Sequence, residues 1–533
     1  MKRFIPLLIS LGGGILLWAS WPVSPLGFLV FVAWLPLLWV EDQTKSWKKL
    51  LGYTYLHMLC WNVLTTWWVA NSTLPGALGA FFANSLLMCL PWLLMHYTKK
   101  RLGRGWGSTS LILFWISFEF IHHNWELSWP WLTLGNAFAT HTEWVQWYEY
   151  LGTSGGTLWV LLSNILLYAA FTEYRNRGRS AGYLAMLAGW LLLLVIPILV
   201  SRSLLNRALV QVRASLDRPA PHVVIVQPNI DPWDEKFEAG SQEAQLQKLI
   251  ALSEKQLDSQ TALVVWPETA IPFQSDESDL HGNFFLRPLW AFLQRHPSIH
   301  LLTGLEGIRY FPSPHSRYSL PVPGTRGLYY EGYNSALLMD SNKVAIYHKS
   351  KLVPGVETLP GFLRFLDKLF EKFGGTTSGY ARNSGAEVLA AADCPYRVAP
   401  AVCYESIYGD YLTGFMRKGA NLICVITNDG WWGDTPGYRQ HMNYARLRAI
   451  ESRTWVVRSA NTGISCFIDP TGQVLDPQPW NRATSIRMEV PAAASMTFYT
   501  RHGDLLSRGL LVASILLLAV DGVLWILHTF FHR

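Results

Sequence analysis

Apolar segments long enough to cross a bilayer recur through the first part of the chain and return once near its end. A helix needs roughly 20 apolar residues to cross about 30 Å of hydrocarbon. We place eight predicted spans at residues 4–21, 26–40, 52–70, 77–97, 108–122, 157–171, 183–200 and 506–528. Only seven of the 37 acidic residues precede Arg207, so the two parts of the chain are suited to different solvents. The sequence predicts a helical membrane domain over 1–205 with seven spans, and an eighth span within 504–533.

The basic residues predict how these spans are oriented. Lysines and arginines occupy the loops after the second, fourth and sixth spans, whereas the loops 22–25, 71–76 and 123–156 contain none. By the positive-inside rule, both termini are then cytoplasmic, and residues 206–503 lie on the outer, periplasmic face. The net charge of +7 arises largely from such clusters between apolar segments, a pattern that favours membrane topology over nucleic-acid binding.

The segment 206–503 has a different sequence pattern, in which short apolar runs alternate with amphipathic stretches. We predict strands at 222–227, 262–266, 299–303, 335–339, 398–402, 422–427, 454–458 and 464–469. Helices are predicted at 242–257, 284–294 and 437–453. This alternation predicts an extramembrane α/β domain. The six cysteines have no C-x-x-C spacing and no histidine cluster beside them, so we expect neither a metal site nor a cofactor.

Three short motifs in this domain contain candidate catalytic groups. Glu268 ends Trp-Pro-Glu after an apolar run, Lys349 and Lys351 lie just before Leu-Val-Pro, and Cys403 begins Cys-Tyr-Glu. A nucleophilic thiol needs a base and an electropositive group close by in space. Taken singly, each residue has an ordinary interpretation: a solvated turn carboxylate, a solvent-facing lysine and a buried small side chain. Together they predict a nucleophile with its base and its cation.

The three motifs, in this order, resemble the Glu-Lys-Cys triad of the nitrilase superfamily. With membrane helices on both sides, the chain looks like the bacterial apolipoprotein N-acyltransferases, and the resemblance covers nearly the whole chain. Residues 428–434, Asn-Asp-Gly-Trp-Trp-Gly-Asp, are similar to that family's region after the cysteine. The resemblance implies an α-β-β-α sandwich with Glu268 as the base, Lys349 as the oxyanion-stabilising cation and Cys403 as the nucleophile. It also implies substrate-binding or supporting roles for four further residues: Trp233, Glu357, Tyr404 and Glu405.

The chain departs from the family pattern before Glu357. The family usually has Leu-Val-Pro-Phe-Gly-Glu, whereas this chain has Leu-Val-Pro-Gly355-Val356-Glu357. The spacing to the glutamate is kept, but the aromatic residue is lost.

The implied reaction is the last step of lipoprotein maturation at the bacterial inner membrane. Cys403 attacks a phospholipid acyl ester to form a thioester, and the amino group of an apolipoprotein's diacylglyceryl-cysteine then takes the acyl chain in a ping-pong sequence. For Glu268 to accept the thiol proton, we expect a pKa raised toward neutrality. Two other hypotheses are a membrane-anchored amidase or hydrolase of the same superfamily, and a non-catalytic multi-span binding or transport protein.

Two features of the membrane part allow competing interpretations. Several tryptophans near predicted span ends, Trp115, Trp125 and Trp131 among them, are expected to form an interfacial belt, with specific lipid contacts as the alternative. Glu119 lies within or near the end of a predicted span, where an ionisable group usually has a partner or a function. A structural hydrogen bond and a functional role are equally compatible with its position.

Overall fold

The computed structural model describes residues 4–236, 238, 240–359, 361, 379–493 and 495–531, and the chain divides into two compact units. The first unit, which is helical, comprises Met1–Trp67, Ala77–Ser203 and Asp504–Arg533. The second unit, which is α/β, comprises Trp68–Gly76 and Leu204–Gly503.

The helical unit is built from helices of very different lengths. Its helices are Ile5–Ala19, Leu35–Gln43, Trp47–Thr66, Asn84–Leu87, Cys89–Leu102, Arg104–His122, Tyr148–Arg177, the first part of Ala181–Leu216, and Leu505–Phe531. In the described part of the chain, four helical segments are long and apolar enough to cross a membrane: Leu74–Leu102, Tyr148–Arg177, Ala181–Leu216 and Leu505–Leu524. These four helices make the chain a membrane protein by length and composition.

The second predicted span, 26–40, is not one continuous helix. A 3-10 turn covers Gly27–Phe31, and the α-helix Leu35–Gln43 follows it. Pro36 stands in the first turn of that helix, where its missing N–H costs no hydrogen bond. At the other end of the unit, the helix Ala181–Leu216 continues past the boundary that we predicted at residue 205.

Buried tryptophans form the centre of the helical unit. The Trp34 ring stacks on Trp92 at a centroid distance of 5.2 Å and meets the edge of Trp115 at 4.5 Å. All three side chains are buried, as is Trp131, whereas Trp125 is partly exposed. The predicted interfacial belt is therefore wrong for Trp115 and Trp131, because these rings pack inside the protein.

Glu119 is a buried structural acceptor in the helical unit. Its carboxylate accepts hydrogen bonds from Trp115 Nε1 at 2.9 Å, the Leu134 backbone N–H at 2.9 Å and Thr157 Oγ1 at 2.7 Å. The three donors lie on two helices and on the irregular segment between them. Glu119 thereby joins that segment to both helices.

The first sheet of the α/β unit has eight strands in the described residues. They are β1 His222–Gln227, β2 Thr261–Val265, β3 Ser275–Asp276, β4 His300–Phe311, β5 Leu320–Pro321, β6 Tyr329–Met339, β7 Val344–His348 and the later β13 Thr484–Glu489. The main path runs β13-β1-β2-β4-β6-β5, with β3 on β4 and β7 on β6. Strands β1, β2 and β4 are parallel, and β6 is antiparallel to β4.

The second sheet contains β8 Val398–Val402, β9 Leu422–Thr427, β10 Val456–Ala460, β11 Cys466–Ile468 and β12 Val474–Leu475, in the order β12-β11-β10-β9-β8. Strand β10 faces β1 of the first sheet, and Ser459 Oγ donates to the Val226 carbonyl across the interface at 2.8 Å. The helices Gln242–Glu254 and Arg287–Arg295 cover the first sheet, and Gly409–Arg417 and Pro436–Ser452 cover the second. The α/β prediction is confirmed, and the layers follow the order helix, sheet, sheet, helix.

The segment Trp68–Gly76, which precedes the helix-rich residues 77–203, is packed within the α/β unit. The Trp68 ring lies 4.7 Å from the ring of Trp432, and Asn71 Nδ2 donates to the Trp432 carbonyl at 2.8 Å. A Cβ on Gly437 would lie 2.5 Å from the Trp68 ring, so only glycine leaves room for the indole.

The sequence located the buried strands better than the edge strands. Strands β1, β8 and β9 begin and end where the apolar runs predict, because both of their faces are covered. Strands β7 and β13 were missed, since the exposed and polar positions of Thr-Ser-Ile-Arg-Met-Glu give β13 no apolar run.

We predict that Gly135→Ala destabilises the helical unit. A Cβ at this position would lie 1.9 Å from the Thr153 carbonyl oxygen, so backbone must move, at a cost of about 1–3 kcal/mol. Thermal unfolding of the purified protein in detergent should show a lower midpoint. Gly52→Ala is the matched control, because nothing lies within 4 Å of its Cβ. Equal midpoints for the two variants would contradict the prediction.

Candidate active site

The sheet directions bring the three predicted catalytic residues to strand ends. Strand β7 is antiparallel to β6, which is antiparallel to β4, so β7 runs in the same direction as β2 and β4. Glu268 follows the carboxyl end of β2, Lys349 follows that of β7, and Cys403 follows that of β8 in the second sheet. Carboxyl ends of parallel strands are where α/β folds collect functional groups.

Lys349 is a buried cation between two carboxylates. Its Nζ lies 3.1 Å from Glu268 Oε1 and 2.8 Å from Glu357 Oε1, and the lysine is 1% exposed. Asn334 Nδ2 donates to the same two oxygens, at 2.8 Å and 2.9 Å. The second Glu357 oxygen accepts the Val353 N–H at 2.8 Å, so this carboxylate is oriented without the aromatic residue of the family pattern.

This ion cluster sets the protonation of both partners. Burial opposes the charge of Lys349, but the Glu268 and Glu357 carboxylates outweigh it and hold the lysine pKa well above its usual value. Burial alone would raise the pKa of Glu268, yet the Lys349 charge and the hydrogen bonds from Asn334 and Lys349 bring it below the usual value. The expectation of a raised Glu268 pKa is therefore wrong, because the lysine lies in direct contact.

Cys403 begins a sharp turn after β8. Its backbone has φ +52°, a left-handed conformation that is uncommon for a residue other than glycine. Ser406 Oγ donates to the Cys403 carbonyl at 2.7 Å, and the side chain is 9% exposed. Burial, reinforced by the negative charge of Glu268, holds the thiol pKa well above its usual value. A raised pKa favours the protonated thiol, so formation of a thiolate here would require a nearby base.

The buried side chains of His441, Asp429 and Arg458 form a hydrogen-bonded network that contacts the Cys403 turn. His441 Nε2 lies 3.1 Å from the Cys403 carbonyl oxygen, and His441 Nδ1 lies 2.9 Å from Asp429 Oδ1. The other Asp429 oxygen pairs with Arg458. All three supporting side chains are fully buried. The sequence pattern gave none of these three residues a catalytic role, because their contacts span three separate segments.

Glu405 connects the loop after β7 (the lysine loop, residues 349–351) to strand β8, which precedes Cys403. Oε1 accepts hydrogen bonds from the Ser350 N–H at 2.7 Å, the Lys351 N–H at 3.1 Å and Tyr347 OH at 2.6 Å. Oε2 accepts the Val402 N–H at 3.0 Å. Burial raises the pKa of Glu405 to about 6 in spite of these donors. Glu405 is therefore a positioning residue, completely buried and directed away from solvent.

The two predicted aromatic residues occupy different environments. Tyr404 is 3% exposed, and its ring meets Tyr408 edge-on at 5.3 Å. Trp233 is 56% exposed and meets the Trp431 ring edge-on at 4.9 Å. Trp233 lines a cavity of about 580 Å³ whose wall includes Gly430, two residues after Asn428.

Two further residues near Glu268 were not predicted. Lys236, on the same loop as Trp233, donates to the hydroxyl of Thr269. Burial lowers the pKa of Lys236 to about 8, against the opposing charges of Glu268 and Glu306. A Cβ on Gly304 would lie 2.2 Å from the Thr269 backbone nitrogen, so only glycine lets β4 pass this close to the base. Nothing in the local sequence of either residue marks its proximity to the site.

Comparison with known proteins identifies the family of the chain. Residues 222–494 match the carbon-nitrogen hydrolase family, and residues 13–166 match the apolipoprotein N-acyltransferase N-terminal domain. The chain is 30% identical to an apolipoprotein N-acyltransferase of Chlorobaculum tepidum over 94% of this chain and 93% of that protein. It is 24% identical to one of Thermotoga maritima, over 94% and 91% of the two chains.

Among solved structures, an amidase from Nesterenkonia sp. is 16% identical, with a TM-score of 0.36, over 55% of this chain and 96% of the amidase. The two family matches together extend over both units. The chain belongs to the apolipoprotein N-acyltransferase family.

Proposed function

We propose that this acyltransferase moves an acyl chain from a phospholipid to the amino group of an apolipoprotein's diacylglyceryl-cysteine, through a Cys403 thioester. The family membership makes the chain an enzyme of lipoprotein N-acylation. The observation that carries the proposed mechanism is the buried cluster at the strand ends, in which Lys349 contacts Glu268 and the Glu268 charge acts on the Cys403 thiol.

In the first half-reaction, the Cys403 sulfur attacks the acyl carbonyl while its proton moves to Glu268. Lys349 and the Tyr404 backbone N–H stabilise the oxyanion that forms. Because the resting thiol holds its proton and Glu268 is a weak base, proton transfer accompanies attack and does not precede it. The ester C–O bond breaks, Glu268 returns the proton to the leaving oxygen, and a lysophospholipid departs.

In the second half-reaction, the acceptor amine attacks the thioester carbon and Glu268 takes the amine proton. The amide forms as the C–S bond breaks and the proton returns to sulfur. Transfer rather than hydrolysis requires that water be kept from the thioester. The 9% exposure of Cys403 supports this requirement.

The remaining predicted site residues are proposed to position Glu268, Lys349 and Cys403 or to contact the substrate. Glu357 keeps Lys349 paired while Glu268 carries a proton, and Glu405 holds the lysine loop against β8. Trp233 and Tyr404 are proposed to contact substrate. The exposed Trp233 ring at a cavity suits the mobile glycerol and headgroup end of a lipid.

We also propose the predicted topology for the chain. Eight spans would give a membrane domain over 1–205, a periplasmic catalytic domain over 206–503 and a final span within 504–533, with both termini in the cytoplasm of the inner membrane. The alternation of basic and base-free loops supports this arrangement.

The thioester is tested by intact-mass spectrometry of protein incubated with phospholipid in mixed micelles. We expect a mass gain of one acyl chain on Cys403, which moves to the amine of an added diacylated lipopeptide. Cys403→Ala should show no gain, whereas Cys394→Ala, which removes another thiol of the same unit, should behave as wild type. An adduct that is lost only to water would indicate a hydrolase and contradict the proposal.

Glu268→Gln keeps the length of the side chain but removes the base. We expect thioester formation to slow by about 10²- to 10⁴-fold, the range of a lost general base. Single-turnover mass spectrometry provides the rate. Glu254→Gln, which changes a surface carboxylate paired with Arg295, is the control and should leave the rate unchanged. A Glu268→Gln rate within the error of wild type would exclude this residue as the base.

The topology is tested with reporters inserted at two glycines of positive φ: Gly178, which ends the helix Tyr148–Arg177, and Gly327, which lies in the loop between β5 and β6. Green fluorescent protein at Gly178 should fluoresce, because the proposed position is cytoplasmic. Alkaline phosphatase at Gly327 should be active, because the proposed position is periplasmic. The reverse pattern would overturn the orientation.

A further inference from the structure

Asn428 follows strand β9 directly and lies beside the reacting groups. Its backbone N–H donates to Glu268 Oε2 at 3.2 Å, and the preceding Thr427 donates its hydroxyl to Asp429 Oδ1 at 2.6 Å. The asparagine is 3% exposed. Its backbone supports Glu268, but the mechanism above gives its side chain no role.

The orientation of the Asn428 amide is fixed by Asn461. Asn461 Nδ2 donates to the Ile230 carbonyl at 2.6 Å, while Asn461 Oδ1 accepts the Ile230 N–H at 3.2 Å. This two-way pairing identifies the nitrogen of Asn461, which also donates to Asn428 Oδ1 at 3.1 Å. The Asn428 side chain therefore directs its oxygen to Asn461 and leaves its nitrogen for another partner.

That nitrogen has no hydrogen-bond partner among the residues that the structure describes. Most buried donors in proteins are paired, because an unmade bond costs the desolvation of the donor. An amide held in one orientation with its N–H₂ unpaired is suited to a partner from outside the chain. The partner must supply an acceptor oxygen, since the amide nitrogen can only donate.

The two oxygens of Glu268 distinguish the possible acceptors. Lys349 and Asn334 bind Oε1, whereas Asn428 binds Oε2 through its backbone. The Asn428 backbone N–H thus contacts the Glu268 oxygen that Lys349 does not contact, and the side-chain amide of the same residue is only a few bonds away from that N–H. A donor there suits the atom that receives the proton from Glu268. In the first half-reaction this atom is the ester oxygen of the leaving lysophospholipid.

We infer that Asn428 Nδ2 donates a hydrogen bond to the departing ester oxygen of the acyl donor, an inference that rests on the proposed function. As the Cys403 S–C bond forms and the ester C–O bond breaks, negative charge grows on that oxygen. Asn428 stabilises the charge until Glu268 delivers the thiol proton to it. In the second half-reaction the leaving atom is sulfur and the nucleophile is an amine. Asn428 Nδ2 therefore has no ester oxygen to which it can donate a hydrogen bond.

Comparing the rates of the two half-reactions therefore distinguishes a contact between Asn428 and substrate from structural support of Glu268. We expect Asn428→Ala to slow thioester formation from phospholipid by about 10- to 100-fold, the effect of one lost hydrogen bond to developing charge. Aminolysis of the thioester by a diacylated lipopeptide, measured separately in single turnovers, should keep its wild-type rate. Asn342→Ala, which changes an exposed turn residue, should leave both rates unchanged.

A donor lipid with a thioester in place of the ester provides a second measurement. Sulfur is a weak hydrogen-bond acceptor, so the loss on Asn428→Ala should be smaller with this lipid than with the ester lipid. Asn428→Leu keeps a similar volume and adds no charge beside Glu268, and it should show the same selective loss if the alanine variant does not fold.

Three outcomes would overturn the inference. An equal loss in both half-reactions and with both lipids would mean that Asn428 only supports Glu268. Unchanged rates would mean that the amide is satisfied by solvent. If the wild-type protein forms no thioester from phospholipid, the proposed function itself fails, and this inference fails with it. A normal wild-type thioester with unchanged variant rates refutes only the role of Asn428.

Discussion

Two carboxylates share one buried ammonium, and the chemistry of the α/β unit depends on that arrangement. An unpaired charge at this depth would cost several kcal/mol, so Lys349 needs a counter-charge at every stage of a reaction. With one carboxylate alone, protonation of Glu268 would leave the lysine unpaired. Glu357, 2.8 Å from the same nitrogen, keeps the pair intact. The second carboxylate therefore allows the first to exchange a proton without disturbing the cation.

The relative position of the nucleophile and the cation depends on a third carboxylate. Glu405 accepts backbone N–H groups from the loop after β7 and from the last residue of β8, which belong to different sheets. On the far side of the turn, His441 contacts the Cys403 carbonyl and Asp429. The candidate site is thus held by buried charged groups around the turn, and their geometry sets the distances between Glu268, Lys349 and Cys403.

The sequence predicted the parts of the site that follow from local patterns. Apolar runs that lead to Glu268 and Cys403 identify strand ends. Edge strands such as β13 were not predicted, because their polar residues interrupt any apolar run. The pairing of His441 with Asp429 spans 12 residues and that of Asn428 with Asn461 spans 33, and neither has a local signature in the sequence. The pKa of Glu268 was predicted in the wrong direction because burial was weighed without the lysine that contacts it. The interior position of Trp115 likewise depends on which helices pack together.

The packing of Trp68 within the α/β unit has a consequence for truncated forms of the protein. Trp68 contacts Trp432, whose ring lies 5.6 Å from that of His441, which in turn contacts the Cys403 carbonyl. A chain cut to residues 206–503 would lack this indole and leave an apolar notch over Gly437. The α/β unit is therefore not one continuous stretch of chain, because its segment Trp68–Gly76 precedes Leu204 by more than a hundred residues in the sequence.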